Sequence, residues 1–257
     1  GQGGARGLRG IAVAGDQVLV AAESELLVFS PQFELLAIHR SPYLGGAHGL
    51  VVFENRVYVI SAAFDALLAF DLALGRFAWG LQISNDEAGL RATPFDPAST
   101  LGPSPRKRMQ LQSVYADSRG LFISGPGASG LLHFDGKRIA QLVSLPEGAR
   151  DARPWRDGVL FNDTLTDAVR FLTPEHNRVF KVLPYPEDAM VPALPDVARP
   201  YYAQGLCVLD EKRFASGSSP LTVTLHDIET LQTTRRFNLD TDVRHSVHSL
   251  ALWPFQA

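Results

Sequence analysis

A short segment recurs six times along this chain, and the repetition constrains the fold more than any other feature. Each copy begins with a polar residue, continues with a small or polar residue, and then becomes apolar. The copies begin at Arg9, His48, Gln112, Arg150, Gln204 and His248. The intervals between them are those of a unit of roughly 40 residues that carries two large insertions, which is typical of a repeat architecture.

Within a repeat, short apolar segments alternate with turn residues. The second repeat has four such segments, at residues 48–53, 57–60, 67–70 and 76–81. No sustained periodicity of 3.6 residues runs through them, so they indicate strands rather than helices. Each repeat is therefore predicted to form a four-stranded antiparallel sheet, and radial repetition of such sheets gives a β-propeller.

The sixth repeat has an innermost strand, residues 247–254, but no partners for it. We therefore predict an all-β, six-fold β-propeller with the sixth blade incomplete in this chain, and we expect native residues to precede Gly1. The alternative is a closed five-bladed propeller in which the last strand joins an existing sheet edge. Either version is a single domain over residues 1–257, with blades at about 8–40, 47–83, 110–146, 150–183 and 203–240, and insertions at 84–109 and 184–202.

Charge and composition exclude several classes of partner. The net charge is −3, and the run Arg106-Lys107-Arg108 is too short to neutralise many phosphates, so nucleic acid is not expected. No apolar run approaches the roughly 20 residues of a membrane helix, so we expect a soluble protein without a membrane partner. Cys207 is the only cysteine, which excludes an intramolecular disulfide. The localisation stays open, with the cytoplasm favoured.

Several motifs resemble those of a known propeller family. Residues 9–13 resemble the Met-Gly-Leu-Ala-Val strand of that family. The family's His-x-Asn-Gly motif corresponds to Gln-Leu-Gln-Ser at residues 110–113. Its Pro-His-Ser-Pro-Arg-Trp motif corresponds to Arg-Asp-Ala-Arg-Pro-Trp at residues 150–155, and its Arg-Gly-Leu motif to Gln-Gly-Leu at residues 204–206. Over nearly its whole length the chain is thus similar to a bacterial family of six-bladed propellers, distantly similar to NHL-repeat and strictosidine-synthase-like propellers. Two family histidines are absent. The resemblance implies a fold but no activity.

The polar residue that begins each repeat is the main functional candidate. Because the first strand of a propeller blade lines the central channel, these residues should converge at one channel mouth, with both insertions on that face. The predicted ligand-binding residues are Arg9, His48, Gln112, Arg150, Asp151, Gln204 and His248. The two arginines argue against a metal ion and suit an anion. His48 and His248 are the first catalytic candidates, since imidazole titrates near neutral pH.

Three functions fit these residues. The leading hypothesis is a propeller that binds a small anionic or polyhydroxylated ligand at the channel mouth. The alternative is a protein–protein interaction scaffold, in which the polar column only binds water and neighbouring carbonyl groups. The second alternative is a hydrolase or lyase that acts at the same mouth. The sequence indicates no cofactor and no metal, leaves enzyme activity undecided, and leaves both a small-molecule ligand and a protein partner open.

Overall fold

The computed structural model describes residues 7–182, 202–242 and 245–255. The described elements are strands, apart from two single turns of 3-10 helix at Ala62–Phe64 and Pro126–Ala128. The strands form five antiparallel sheets in which consecutive strands are neighbours. None of the helical turns in these ranges is long and apolar enough to cross a membrane.

Four sheets have four strands and the second has five. Sheet one contains β1 (Leu8–Ala14), β2 (Gln17–Ala22), β3 (Glu25–Phe29) and β4 (Leu35–Arg40), and sheet two contains β5 (Ala47–Phe53), β6 (Arg56–Ser61), β7 (Ala66–Asp71), β8 (Arg76–Asp86) and β9 (Gly89–Phe95). Sheet three contains β10 (Ser113–Asp117), β11 (Gly120–Ser124), β12 (Gly130–Phe134) and β13 (Ile139–Ser144). Sheet four contains β14 (Ala149–Trp155), β15 (Gly158–Asp163), β16 (Ala168–Leu172) and β17 (Asn177–Lys181), and sheet five contains β18 (Leu206–Val208), β19 (Arg213–Ser218), β20 (Thr222–Asp227) and β21 (Gln232–Asn238).

The chain divides into two compact units. The first comprises Gly1–Leu145 together with Trp253–Ala257, and it holds sheets one to three. The second comprises Pro146–Leu252 and holds sheets four and five. The single-domain organisation expected from the sequence stays a prediction.

In both units the core lies between neighbouring sheets, because inner strands such as β2 carry apolar residues at consecutive positions, which places apolar side chains on both faces of a sheet. In the first unit, one buried cluster joins sheets one and two, and a second joins sheets two and three. In the second unit, Trp155 and Phe171 of sheet four pack against Phe214 of sheet five. Such packing of sheet on sheet is what the repeated pattern of strands predicts.

The first strands of sheets one, two and three lie against one another, and glycines make this approach possible. The backbone N–H of Gly49 in β5 donates to the carbonyl oxygen of Gln112, 2.8 Å away, just before β10. A Cβ atom on Gly49 would lie 2.6 Å from that oxygen. A Cβ on Gly10 in β1 would collide with the carbonyl oxygen of His48 in the same way. The start of each first strand is therefore held directly on the next.

The prediction of a sixth blade is wrong, because residues 245–255 contain no strand. Val247 is instead buried against Gly217 and Gly205 of the second unit. In the first unit, Trp253 stacks on Phe33 with ring centroids 5.4 Å apart. Residues 251–254 are exposed, so this segment packs on existing sheets through a few side chains and not by pairing as a strand. The described residues form five blades, as in the alternative stated above.

The insertion at residues 84–109 is not a separate lid. Strand β8 continues to Asp86, turns, and pairs with β9, which adds a fifth strand to sheet two. The end of the insertion is fixed by the buried carboxylate of Asp65, whose Oδ2 accepts backbone N–H bonds from Arg108 and Met109. The hydroxyl of Tyr43 donates a hydrogen bond to the carbonyl oxygen of Ser99 and accepts one from the backbone N–H of Gly102. The insertion is therefore part of the first unit.

Replacing Gly49 by alanine tests the close approach of the first strands. The new methyl group has to displace the backbone before β10, so we expect the free energy of unfolding to fall by about 1–3 kcal/mol. Gly7→Ala is the matched control, since its Cβ would meet only the flexible end of the Arg9 side chain, and we expect a change within about 0.5 kcal/mol. Urea denaturation followed by circular dichroism measures both variants. Equal stabilities would show that the strands can separate without cost.

Candidate functional site

The first unit brings three of the predicted mouth residues into adjacent positions. Arg9 lies in β1, His48 lies in β5, and Gln112 immediately precedes β10. All three residues are partly buried. Because Gly10 contacts His48 and Gly49 bonds to Gln112, the three strand starts lie side by side.

The second unit holds the other four candidates, which are Arg150, Asp151, Gln204 and His248. The guanidinium of Arg150 lies over the ring of Tyr202, with its Cζ 4.9 Å from the ring centroid, a distance at which a cation–π attraction is effective. Gln204 is buried just before β18, and Nε2 of His248 lies 3.2 Å from the hydroxyl of Ser246. These residues thus make contacts within their own unit.

The side chain of Asp151 joins three parts of the second unit. Its Oδ2 accepts hydrogen bonds from Nδ2 of Asn162, at 2.8 Å, and from the backbone N–H of Gly205, at 2.9 Å. Through these two bonds the carboxylate links β14 to β15 and to the start of the fifth sheet. Asn162 itself is fully buried. One oxygen of a carboxylate engaged in this way is committed to joining strands.

Convergence of the six repeat residues at one mouth stays a prediction, since they are divided between the two units. The hypotheses of a small anionic or polyhydroxylated ligand and of a hydrolase or lyase, which depend on that mouth, stay predictions as well. The predicted insertion at 184–202 lies outside the described residues except for Tyr202. Within the described ranges, no three His, Cys, Asp or Glu side chains are grouped so that they could hold a metal ion. Cys207 is buried, and its burial raises the pKa of the thiol, which opposes a nucleophilic role.

A hydroxyl and imidazole network in sheet five was not predicted from the sequence. Nε2 of His226 lies 2.9 Å from the hydroxyl oxygens of both Ser216 and Thr224, and its Nδ1 lies 3.1 Å from that of Thr233. Burial lowers the pKa of His226 to about 4. A fully buried imidazole of such low basicity is a poor general base near neutral pH, and the Phe214 ring stacks on it. The network therefore belongs to the core.

A groove in the first unit lies between sheets two and three. Its volume is about 360 Å³, and four aromatic side chains form much of its wall: Phe53, Tyr58, Trp79 and Phe134. The Trp79 and Phe134 rings face each other with centroids 6.2 Å apart. The turns between β5 and β6, β10 and β11, and β12 and β13 border the groove, so it opens at the ends of the first strands, opposite the predicted mouth.

The charged groups at this groove differ in how they are paired. Nη2 of Arg119 lies 2.6 Å from Oδ2 of Asp117, and this side-chain hydrogen bond holds the pKa of Asp117 below its ordinary value. Asp135 accepts backbone N–H bonds from the turn that it begins. Arg56 is exposed, and its guanidinium makes no hydrogen bond or ion pair with the described residues. One cation is thus available beside four aromatic rings.

The sequence contained a partial signal for this groove. Phe53, Trp155 and Trp253 occupy one repeat position, which predicted packing between blades. Trp155 is buried between sheets four and five as expected. Phe53 packs against the cluster between sheets two and three and also lines the groove, whereas Trp253 is 43% exposed. The same repeat position therefore has three different environments, which periodicity alone does not distinguish.

Comparison with known proteins identifies the fold but no family. No protein-family model and no curated protein matches the chain. Among solved structures, the computationally designed protein Ika8 matches with a TM-score of 0.53 and 11% identity, over 98% of this chain and 92% of that chain. The WD40 β-propeller domain of Doa1 matches with a TM-score of 0.53 and 11% identity, over 92% and 70% of the two chains. A catalytically inactive virginiamycin B lyase from Staphylococcus aureus with quinupristin matches with a TM-score of 0.56 and 12% identity, over 95% and 74%.

The fold is a five-bladed β-propeller. The all-β propeller class predicted from the repeats is confirmed. The blade number implied by the family resemblance is wrong, and no matching family supports that resemblance. At 11–12% identity the solved structures show the fold alone, so any function of this propeller has to be argued from its own residues.

Replacing Asp151 tests its role in joining strands. In Asp151→Ala, the amide of buried Asn162 and the N–H of Gly205 both lose an acceptor, so we expect a loss of about 2–4 kcal/mol in the free energy of unfolding. Asp151→Asn keeps a side-chain oxygen and should lose less than half as much. Chemical denaturation compares the two variants. An unchanged stability in Asp151→Ala would leave this carboxylate free for a ligand.

The stability of the chain should depend on His226 below neutral pH. Its pKa is about 4 in the folded protein and 6.5 in an unfolded chain, so stability is complete above pH 6.5 and is lost as the pH falls towards 4. The loss attributable to this residue approaches about 3 kcal/mol below pH 4. The difference in the free energy of unfolding between wild type and His226→Gln, measured by denaturation from pH 7 to pH 4, isolates the contribution of His226 from those of other titrating groups. A difference independent of pH would contradict the prediction.

Proposed function

We propose that this propeller is a protein–protein interaction module whose aromatic groove binds an extended peptide segment of a partner. The bound segment carries an aromatic or large aliphatic side chain next to a carboxylate. The observation that carries the proposal is the combination of four aromatic rings with one unpaired exposed cation, Arg56, around a groove of about 360 Å³. The partner segment is thus defined by chemistry rather than by name.

The size of the groove favours a single anchoring side chain. Sites for drug-sized molecules have volumes of about 300–1,000 Å³, so this groove lies near the lower end of that range. A buried aromatic or aliphatic anchor is the usual centre of a protein interface. The Trp79 and Phe134 rings, whose centroids lie 6.2 Å apart, offer adjoining aromatic surface to such an anchor.

The electrostatics of the groove favour a carboxylate beside the anchor. Arg119 and Asp117 neutralise each other, and Asp135 is engaged by backbone N–H groups. Arg56 is left to form a charge-assisted, bidentate contact, for which the planar guanidinium is well suited. An acidic group of the partner beside Arg56 meets that requirement, whereas a basic group at the same position would be repelled by the guanidinium.

Selection from a phage-displayed library of random peptides tests the proposal. We expect enrichment of peptides in which Trp, Phe or Leu is adjacent to Asp or Glu. In Arg56→Glu, the affinity for an enriched peptide should fall about ten- to a hundredfold, as expected for loss of one charge-assisted contact and its replacement by repulsion. Fluorescence anisotropy with the labelled peptide measures the dissociation constant.

Arg76→Glu is the matched control, because Arg76 is an exposed arginine at the start of β8 in the same sheet but does not line the groove. It should leave the affinity unchanged. Trp79→Leu removes a groove wall and should weaken binding even if Arg56→Glu does not fold. The proposal is overturned if no peptide is enriched on the wild-type protein relative to Arg56→Glu. It is also overturned if the enriched peptides lack acidic residues.

A further inference from the structure

A second cavity of the first unit lies beside the last residues of the insertion at 84–109. Its volume is about 580 Å³. The residues that line it, which define the basic cavity, are Gln82, Ser104, Pro105, Arg106, Lys107 and Arg108. None of them is buried, and four are fully exposed. The groups of the basic cavity are therefore open to a ligand from solvent.

The backbone that carries the three cations is anchored at two positions. The N–H of Arg106 donates to the carbonyl oxygen of Ala63, at 2.8 Å, and the N–H of Arg108 donates to Oδ2 of buried Asp65, at 2.7 Å. The segment is neither helix nor strand, so consecutive side chains are not forced to opposite sides as they are in a strand. All three cations can thus line one cavity, and the fixed backbone limits the entropy that a ligand has to remove.

The positive charge of the basic cavity exceeds the negative charge around it. None of its three cationic side chains forms an ion pair or a side-chain hydrogen bond with the described residues. The pKa of Asp86 is lowered, first by the hydrogen bond from Arg91 at 2.6 Å and to a smaller extent by the charge of Arg106, so this carboxylate is already neutralised by Arg91. The buried carboxylate of Asp65 compensates one further charge at most. An anion is therefore attracted to the basic cavity.

The kind of cation favours a phosphoryl group. Planar guanidinium groups form bidentate contacts with phosphate oxygens, and an ammonium adds a point charge. A phosphate monoester carries a charge of about −1.5 to −2 at pH 7 and offers three acceptor oxygens, whereas a carboxylate carries one charge. Three cations are too few for the many phosphates of a nucleic acid, but they match the charge of one phosphoryl group.

The wall of the basic cavity favours a polar body next to the phosphoryl group. No aromatic and no large aliphatic side chain is among the described residues that line it. Nε2 of Gln82 donates to the carbonyl oxygens of Phe64, at 3.1 Å, and Ser104, at 3.3 Å, which fixes the orientation of the amide. Its Oε1 accepts no hydrogen bond from the described residues, so it is available to a hydroxyl group.

We propose that the basic cavity binds a phosphorylated polyol, such as a sugar phosphate. The phosphoryl group contacts Arg106, Lys107 and Arg108, and a hydroxyl group of the polyol donates to Oε1 of Gln82. The basic cavity shares no residue with the aromatic groove, so this site does not depend on the function proposed for the groove.

Four probes separate the charge of the ligand from its shape: glucose 6-phosphate, glucose 6-sulfate, glucose and inorganic phosphate. Each is titrated at pH 7 into the isotopically labelled full chain at low ionic strength, which preserves contacts between exposed charges, and amide chemical shifts are followed by NMR. We expect glucose 6-phosphate to cause saturable shifts at residues 104 and 106–108. The sulfate ester, with less charge, and inorganic phosphate, without hydroxyl groups on carbon, should bind about tenfold more weakly or worse, and glucose should not bind.

Three outcomes overturn the proposal. They are equal affinities for the phosphate and sulfate esters, an inorganic phosphate affinity equal to that of glucose 6-phosphate, and no saturable shift at these residues. A phosphoserine peptide provides a further arm. If it causes these shifts while glucose 6-phosphate does not, the ligand is a protein and the proposal is wrong.

Variants identify the groups that hold the phosphoryl group. Lys107→Gln and Arg108→Gln each remove one charge at an exposed side chain and should each weaken glucose 6-phosphate binding by about tenfold. Lys137→Gln is the matched control, because Lys137 is an exposed lysine of the same unit, between β12 and β13, that does not line the basic cavity. It should have no effect. Unaltered affinity in either of the first two variants, with an NMR spectrum that shows an intact fold, would exclude the site.

Discussion

The structure depends on how closely the first strands of neighbouring sheets approach one another. At Gly49 the backbone of β5 bonds directly to the residue before β10, and at Gly10 the backbone of β1 reaches β5, with no room for a side chain at either contact. In the second unit, the corresponding position is Gly205, whose φ of +83° and contacts with Val247 and Ser249 fulfil a related requirement. Side chains at these positions would hold the sheets apart and open the apolar clusters between them.

The arrangement of strands could be read from the sequence because it depends on local rules. Alternation of apolar residues and short turns located most strands, and the repeated polar-small-apolar segment identified the first strand of each sheet. The strand β9 was missed, because its sequence, with Arg91 and Pro94 among a few apolar residues, has little strand character of its own. It forms because β8 provides a free edge. Residues 247–254 show the opposite case, since their apolar pattern gave no strand and only Val247 among them is buried.

The sites were harder to predict, for a physical reason. The polar column at the starts of the repeats is visible in the sequence because one repeat position keeps one chemical character. The groove lined by Phe53, Tyr58, Trp79 and Phe134 draws on strands from two sheets at different repeat positions, so no spacing reveals it. The ion pair between Asp163 and Arg170 is also invisible in sequence, because the pairing of β15 with β16 places the two side chains together. Packing between elements, rather than pattern within them, creates the groove and this ion pair.

The packing of residues 253–255 on sheet one has a consequence for how the chain acquires its structure during synthesis. Phe255 lies against the cluster formed by Val18, Val20 and Leu27, and Trp253 covers Phe33. When sheet one leaves the ribosome, these later residues have not yet been synthesised, so that face of the sheet meets solvent until residues 253–255 emerge. Contacts between such distant parts of a chain form slowly, because a long loop has to close first. The nascent first sheet is therefore a part of this protein that a chaperone can protect during synthesis.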